Sequence, residues 1–148
     1  MEQPILVGVD GSPAAQRALA WAVHYAHNSN SAVVAAHVLT FSTEFVRDLP
    51  PTGMSAWRLK LRDRLDTQWA KPLKDAAVPF RTVLVEADTV DGGLLRVADD
   101  HDAAMVVLGA HGHGNLKDRL LGGVTYKVSH RADRPVVIVP ADWKGRPA

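Results

Sequence analysis

The sequence predicts a single α/β domain over residues 1–148, built on a parallel sheet with helices on both faces. Three observations carry that expectation. Five short runs rich in Val, Ile and Leu recur at 5–9, 32–39, 80–85, 104–108 and 136–139. Segments with helical spacing lie between them. The first and fourth runs end in dense turn sequence, Asp10-Gly11-Ser12-Pro13 and Gly109-Ala110-His111-Gly112.

Taken in order, the run 5–9 is a strand, and Ser12 is expected to cap the following helix with Pro13 at its first position. Over 14–26, Ala18, Trp21, Ala22 and Tyr25 repeat at helical spacing, and Asn28-Ser29-Asn30-Ser31 closes the helix. Residues 32–39 read as a second buried strand. Residues 40–53 contain Pro50-Pro51-Thr52-Gly53 and show no period, so they predict a functional or mobile segment. From Ser55 a helix carries Trp57, Leu61, Leu65 and Trp69 at four-residue steps, and Pro72 either kinks or ends it. The third strand is 80–85. A short helix over 91–99 carries Leu94, Leu95 and Ala98, with Asp91 as its expected cap. Strands four and five, 104–108 and 136–139, flank a helix over 124–131. Beyond Pro140, residues 141–148 read as a polar tail, with Trp143 expected to fold back on a dimer surface.

Composition narrows the function. Hydrophobic residues make up 47% and charged residues 22%, the balance of an ordinary globular domain. The absence of cysteine excludes a disulfide framework, a thiolate metal site and a thiol nucleophile. A net charge of +1, from 17 basic and 16 acidic residues, gives no electrostatic footprint for nucleic acid or an anionic membrane. The basic cluster at 58–64 is interleaved by Asp63 and followed by Asp66, which reads as a solvated helix face. The N-terminus runs straight into an apolar stretch at 5–9, too short for a secretory core or a membrane span, so the expected location is cytoplasmic.

The chemistry gathers at 106–115 and its continuation 120–125. An apolar run breaks into glycines at 109, 112 and 114, and the pair Gly122-Gly123 opens a helical segment. A strand entering a glycine loop and then a helix start presents outward amides and the positive end of a helix dipole, the arrangement that holds phosphate. Open α/β sheets bind ligands beyond the carboxyl ends of strands where strand order reverses. With strands one and four as neighbours, Asp10 and the glycine loop would face one crevice. Two readings then stand. Asp10 accepts from a ribose hydroxyl or exocyclic amine while the glycines wrap phosphates, or Asp10 only caps the first helix and the glycines only turn the chain. Neither a P-loop nor a G-x-G-x-x-G after the first strand is present.

Val7-Gly8-Val9-Asp10-Gly11-Ser12, Ala36-His37-Val38, the spacing Gly109-x2-Gly112-x9-Gly122 and Pro135-Val136-Val137-Ile138-Val139 resemble the universal stress protein family across essentially the whole chain. The resemblance implies a Rossmann-like, adenine nucleotide alpha hydrolase-like fold: an open five-stranded parallel sheet of order 3-2-1-4-5, with strands one and four adjacent. Members with this motif bind ATP, and some bind cyclic AMP. Carried over to this chain, Val9 and Asp10 would line the adenosine end, and Val38 would offer backbone groups to adenine. Gly109 and Gly112 would contact ribose and phosphate, and Gly122, Gly123, Val124 and Thr125 would cradle phosphates at the helix N-terminus. The expected ligand is ATP or another adenine nucleotide, AMP and cyclic AMP among them, with Mg2+ as its accompanying ion. The resemblance also implies a homodimer paired through strand 136–139. An apolar edge strand bounded by Pro135 and Pro140 invites the same pairing.

One position departs from the family pattern, which continues from the last glycine with Ser or Thr. Here Gly123 follows Gly122, so a side-chain donor worth about 1.5–3 kcal/mol to a charged group is missing. Thr125, two residues on, is either a partial substitute or the helix cap.

Other candidates are weaker. Of seven histidines, His111 and His113 sit in the glycine loop without a carboxylate at ligand spacing, so no protein metal site is expected. His24 and His27 read as a solvated helix face, and His37 as a hydrogen-bonded residue of core or crevice. Ser12 has no histidine nearby in sequence and no G-x-S-x-G elbow exists, so no catalytic residue is assigned. The sequence therefore predicts an adenine-nucleotide-binding, dimeric regulatory module of the stress response, with a protein partner it does not name. The alternatives are a weak ATPase or nucleotide phosphohydrolase, and a dimeric interaction scaffold with a degenerate pocket.

Overall fold

A computed structural model describes residues 3–41, 53–110 and 122–145. Five parallel strands form one sheet in the order β3-β2-β1-β4-β5: β1 is Ile5–Gly8, β2 Val33–Leu39, β3 Phe80–Glu86, β4 Met105–Gly109 and β5 Val136–Val139. The order expected from the family resemblance is the one observed. Val7 of β1 stands between Ala35 of β2 and Val107 of β4, so strand order reverses at β1. That reversal opens the carboxyl end of the sheet between β1 and β4.

At its centre, β1, β2 and β4, the sheet is buried on both faces, which explains why these strands lack polar alternation, whereas the edge strand β3 is partly exposed. One face sets Ile5, Val7, Val33, Ala35 and Val107 against Ala18, Leu19 and Ala22 of α1 (Pro13–Ser29), with Leu65 and Leu73 completing the layer. The other sets Leu6, Val34, Ala36, Val106 and Leu108 against Leu94, Val97 and Ala98 of the helix Val90–Asp100 and Val128 of the helix Gly123–Arg131.

Local chemistry sets the helix ends. Ser12 Oγ accepts from the amide of Ala15 at 3.2 Å with Pro13 in the first turn, and Asn30 closes α1 in the left-handed region at φ 56°. The apolar series 57, 61, 65, 69 does not run through one helix. The helix α2 (Gly53–Arg64) gives way to a π-helical turn, Leu65–Trp69, in which the amide of Ala70 reaches back to Leu65 O at 3.0 Å. Four-residue steps drift around a helix of 3.6 residues per turn, and one wider turn takes up the drift. Of the two outcomes expected at Pro72, the helix ends: its run stops at Trp69. Pro72 sits in the first turn of a new short helix, α3 (Lys71–Asp75), where its missing N–H has no partner to lose.

Asp91 is not the cap of α4 (Val90–Asp100). Thr89 is, its extended backbone directing Oγ1 to the amide of Gly92 at 3.1 Å. Asp91 instead falls one residue inside the helix and turns inward toward Arg131, in the last turn of α5 (Gly123–Arg131). β5 forms one edge of the sheet, and Trp143, beyond it, packs against the α1 face of the core. Most of the aperiodic 40–53 segment, residues 42–52, lies outside the described residues.

Candidate functional site

A cleft of about 420 Å³ opens at the carboxyl ends of β1, β2 and β4. Every expected site residue that the structure describes lines it: Val9, Asp10, Val38, Gly109, Gly122, Gly123, Val124 and Thr125. Gly112, with His111 and His113, lies outside the described residues. Three separate parts of the chain are thus brought together: the turn after β1, the end of β2, and the β4 end with the start of α5.

The two ends of the cleft differ in chemistry. Ala36, Val38, Val90, Leu94 and Leu108 form an apolar wall suited to a flat ring. Val90 and Leu94 were not singled out from sequence as site residues. Their spacing of four marks an inward helix face, which core and cleft share.

Asp10 stands at the turn between β1 and α1. Its Oδ1 accepts from the amide of Ser12 at 2.9 Å, so it shapes the turn, while Ser12 is the helix cap. Asp10 also lines the cleft, and the reading that it only caps the first helix is corrected: the cap is Ser12. Gly11 permits this turn with φ +80°, and a Cβ there would lie 2.7 Å from Trp69 Nε1. Trp69 in turn packs against the ring of His37, centroids 5.0 Å apart. His37 Nδ1 donates to the carbonyl of Val9 at 2.8 Å, tying the ends of β2 and β1. His37 is both hydrogen-bonded and part of the cleft wall.

At the opposite end, β4 meets α1 and α5. A Cβ on Gly109 would come within 2.5 Å of Ala14 O, so only glycine lets the first turn of α1 lie this close. Gly122 is the N-cap of α5 without a side-chain hydrogen bond, which leaves amides of the first turn without intrahelical acceptors. Its own amide donates to Ala110 O at 3.0 Å. Among the described residues, a Cβ at Gly123 would meet nothing within 4 Å.

Thr125 is neither a free hydroxyl nor the cap. It is buried at 4% exposure, and its Oγ1 donates to Gly109 O at 2.9 Å. The carbonyl of β4's last residue points at this helix turn and takes the proton.

Beside the cleft, Arg131 Nη1 and Asp91 Oδ2 are 2.5 Å apart, and Asp91 is 3% exposed. Burial pushes the Asp91 carboxyl up, but hydrogen bonds from Arg131 and Thr89 outweigh it and hold the group below its ordinary value. Among the described residues no group of three or more His, Cys, Asp and Glu is placed to hold a metal ion. No described helix is long and apolar enough to cross a membrane.

Comparison with known proteins bears on this site. Residues 1–140 match the model of the universal stress protein family. A universal stress protein of Mycolicibacterium smegmatis is 35% identical over 143 residues, 92% of this chain and 45% of that protein. The chain spans about half the length of the first curated relatives it matches. Among solved structures, a protein of the family from Burkholderia pseudomallei superposes with a TM-score of 0.70 at 26% identity, over 93% of this chain and 96% of that one. A universal stress protein solved in complex with cAMP gives 0.71 at 25% identity, over 93% and 96%.

Proposed function

The chain belongs to the universal stress protein family, and on that footing we propose that it binds an adenine nucleotide in the cleft between β1, β2 and β4. One observation carries the reading: the described residues among those expected from sequence to meet base, ribose and phosphate converge on a single cleft at the point where strand order reverses. The solved relative in complex with cAMP supports the choice of an adenine nucleotide.

In this reading the base lies along the apolar wall with Val38 at its edge, and Asp10 accepts from the ribose or an exocyclic amine. Gly109 approaches the sugar and phosphate, while Gly122, Gly123, Val124 and Thr125 form the helix start at the phosphate end. Magnesium, where it accompanies the nucleotide, takes its ligands chiefly from phosphate oxygens, and Asp10 is the carboxylate among the described residues lining the cleft.

The role proposed is regulatory rather than catalytic. Ser12 lies in the cleft, but its hydroxyl oxygen serves as the cap acceptor of α1. Nucleotide occupancy would bias the surface offered to a protein partner, from a cytoplasmic homodimer paired through Val136–Val139. Gly123 favours one second reading, a dimeric scaffold with a degenerate pocket, because the position lacks a side-chain donor.

Purification without added ligand, denaturation, and identification of the released nucleotide by chromatography and mass test the proposal. Adenine nucleotide at near one per chain supports it. An empty protein that also gains no thermal stability from millimolar ATP, ADP, AMP or cyclic AMP leaves the scaffold reading in its place.

A further inference from the structure

We infer that Thr125 is a positioning residue of the phosphate end and not a phosphate ligand; the inference rests on the nucleotide reading above. Its hydroxyl carries one proton, and that proton goes to Gly109 O, 16 positions back in the chain. A phosphate oxygen accepts at neutral pH and does not donate, so it cannot share the hydroxyl on these terms.

The bond is one half of a clasp. The amide of Gly122 donates to Ala110 O at 3.0 Å, and four residues of two elements are thereby locked in register. The strand side of the clasp is itself immovable. Gly109 is pressed against the backbone of Ala14, and the amide of Ala110 is held by Val139 O at 2.9 Å. On the helix side, Gly122 caps α5 without a side-chain hydrogen bond.

The hydroxyl therefore fixes where the first turn of α5 points relative to the end of β4. Amides aimed within a few tenths of an ångström and some tens of degrees make strong bonds to an anion, and misaimed ones make weak bonds. Thr125 acts on the phosphate through this aim. In that reading the base lies along β1, β2 and α4, clear of the clasp, and Gly109 keeps its place beside the ribose through its close approach to Ala14.

The test is calorimetric titration of adenosine and AMP into the wild type, Thr125→Val and Thr125→Ser. The gain in affinity from adenosine to AMP isolates the phosphate end. Thr125→Val is expected to lose about tenfold of that gain while adenosine affinity holds within about twofold, and Thr125→Ser is expected to restore the gain. A gain unchanged in Thr125→Val overturns the inference, as does a parallel loss for both ligands, which marks a general structural role. Thr125→Ala makes the same deletion if the valine variant does not fold. Failure of both adenosine and AMP to bind the wild type overturns the nucleotide reading itself, a result distinct from either of these.

Discussion

Asp91 and Arg131 join the first turn of α4 to the last turn of α5 across 2.5 Å, with the carboxylate buried and the guanidinium more than half exposed. The two helices they join carry the apolar wall and the phosphate end of the cleft. The pair ties them at the end of α5 away from the ligand, so it belongs to stability rather than recognition.

Asp91→Asn should destabilise the fold by about 1–3 kcal/mol at neutral pH, discounted from a fully buried pair because Arg131 is wet. The native carboxyl sits below its ordinary value of 3.8, so its contribution is complete above that pH and fades as pH falls through the native value. Urea unfolding at pH 7 and at about pH 3 measures the difference. The deficit of the variant should shrink in acid, and a deficit independent of pH counts against the assignment.

Gly123→Ser should tighten ATP binding by about tenfold to a hundredfold, the value of one hydrogen bond to a charged group. The open space at Gly123 admits the side chain without displacing any described residue. Unchanged affinity in a calorimetric titration would show that this position does not face the phosphates.

Gly11→Ala should cost about 1–3 kcal/mol, because φ +80° and the nearby indole of Trp69 both oppose a Cβ. Pairing it with Trp69→Ala removes the steric part and leaves the backbone part. The double variant should therefore be less unstable than the sum of the two, which a double-mutant cycle from urea midpoints reads directly.

Ile138→Lys should convert the proposed homodimer to a monomer. Antiparallel pairing across a two-fold axis brings like charges near one another along β5. Sedimentation velocity of both chains decides this, and a wild type that sediments as a monomer removes the dimer from the account.

Much of the architecture could be read in advance because the central strands announce burial on both faces. Ile5, Leu6 and Val7 alternate between the two cores, so their run has no polar member. The start of α1 was equally plain, since a serine before a proline at a turn satisfies two local rules at once. Gly109 was found as a glycine, but its reason, the backbone of Ala14, is a contact between distant segments. The same limit hid Thr89 as the cap of α4: Asp91 has equal propensity for the position, and only its inward turn to Arg131 separates them. The π-helical turn before Ala70 was invisible because four-residue spacing fits a drifting helix as well as an interrupted one. The role of Thr125 depended on where Gly109 O would point, which no spacing rule encodes.

The central claim is that the cleft at β1, β2 and β4 is an adenine-nucleotide site. Calorimetric titration of AMP and cyclic AMP into the purified, ligand-stripped wild type tests it most directly. The account predicts saturable binding at one nucleotide per chain, weakened by about tenfold in Asp10→Ala. Absence of binding by either nucleotide, and by ATP, at millimolar concentration in a folded protein would contradict it.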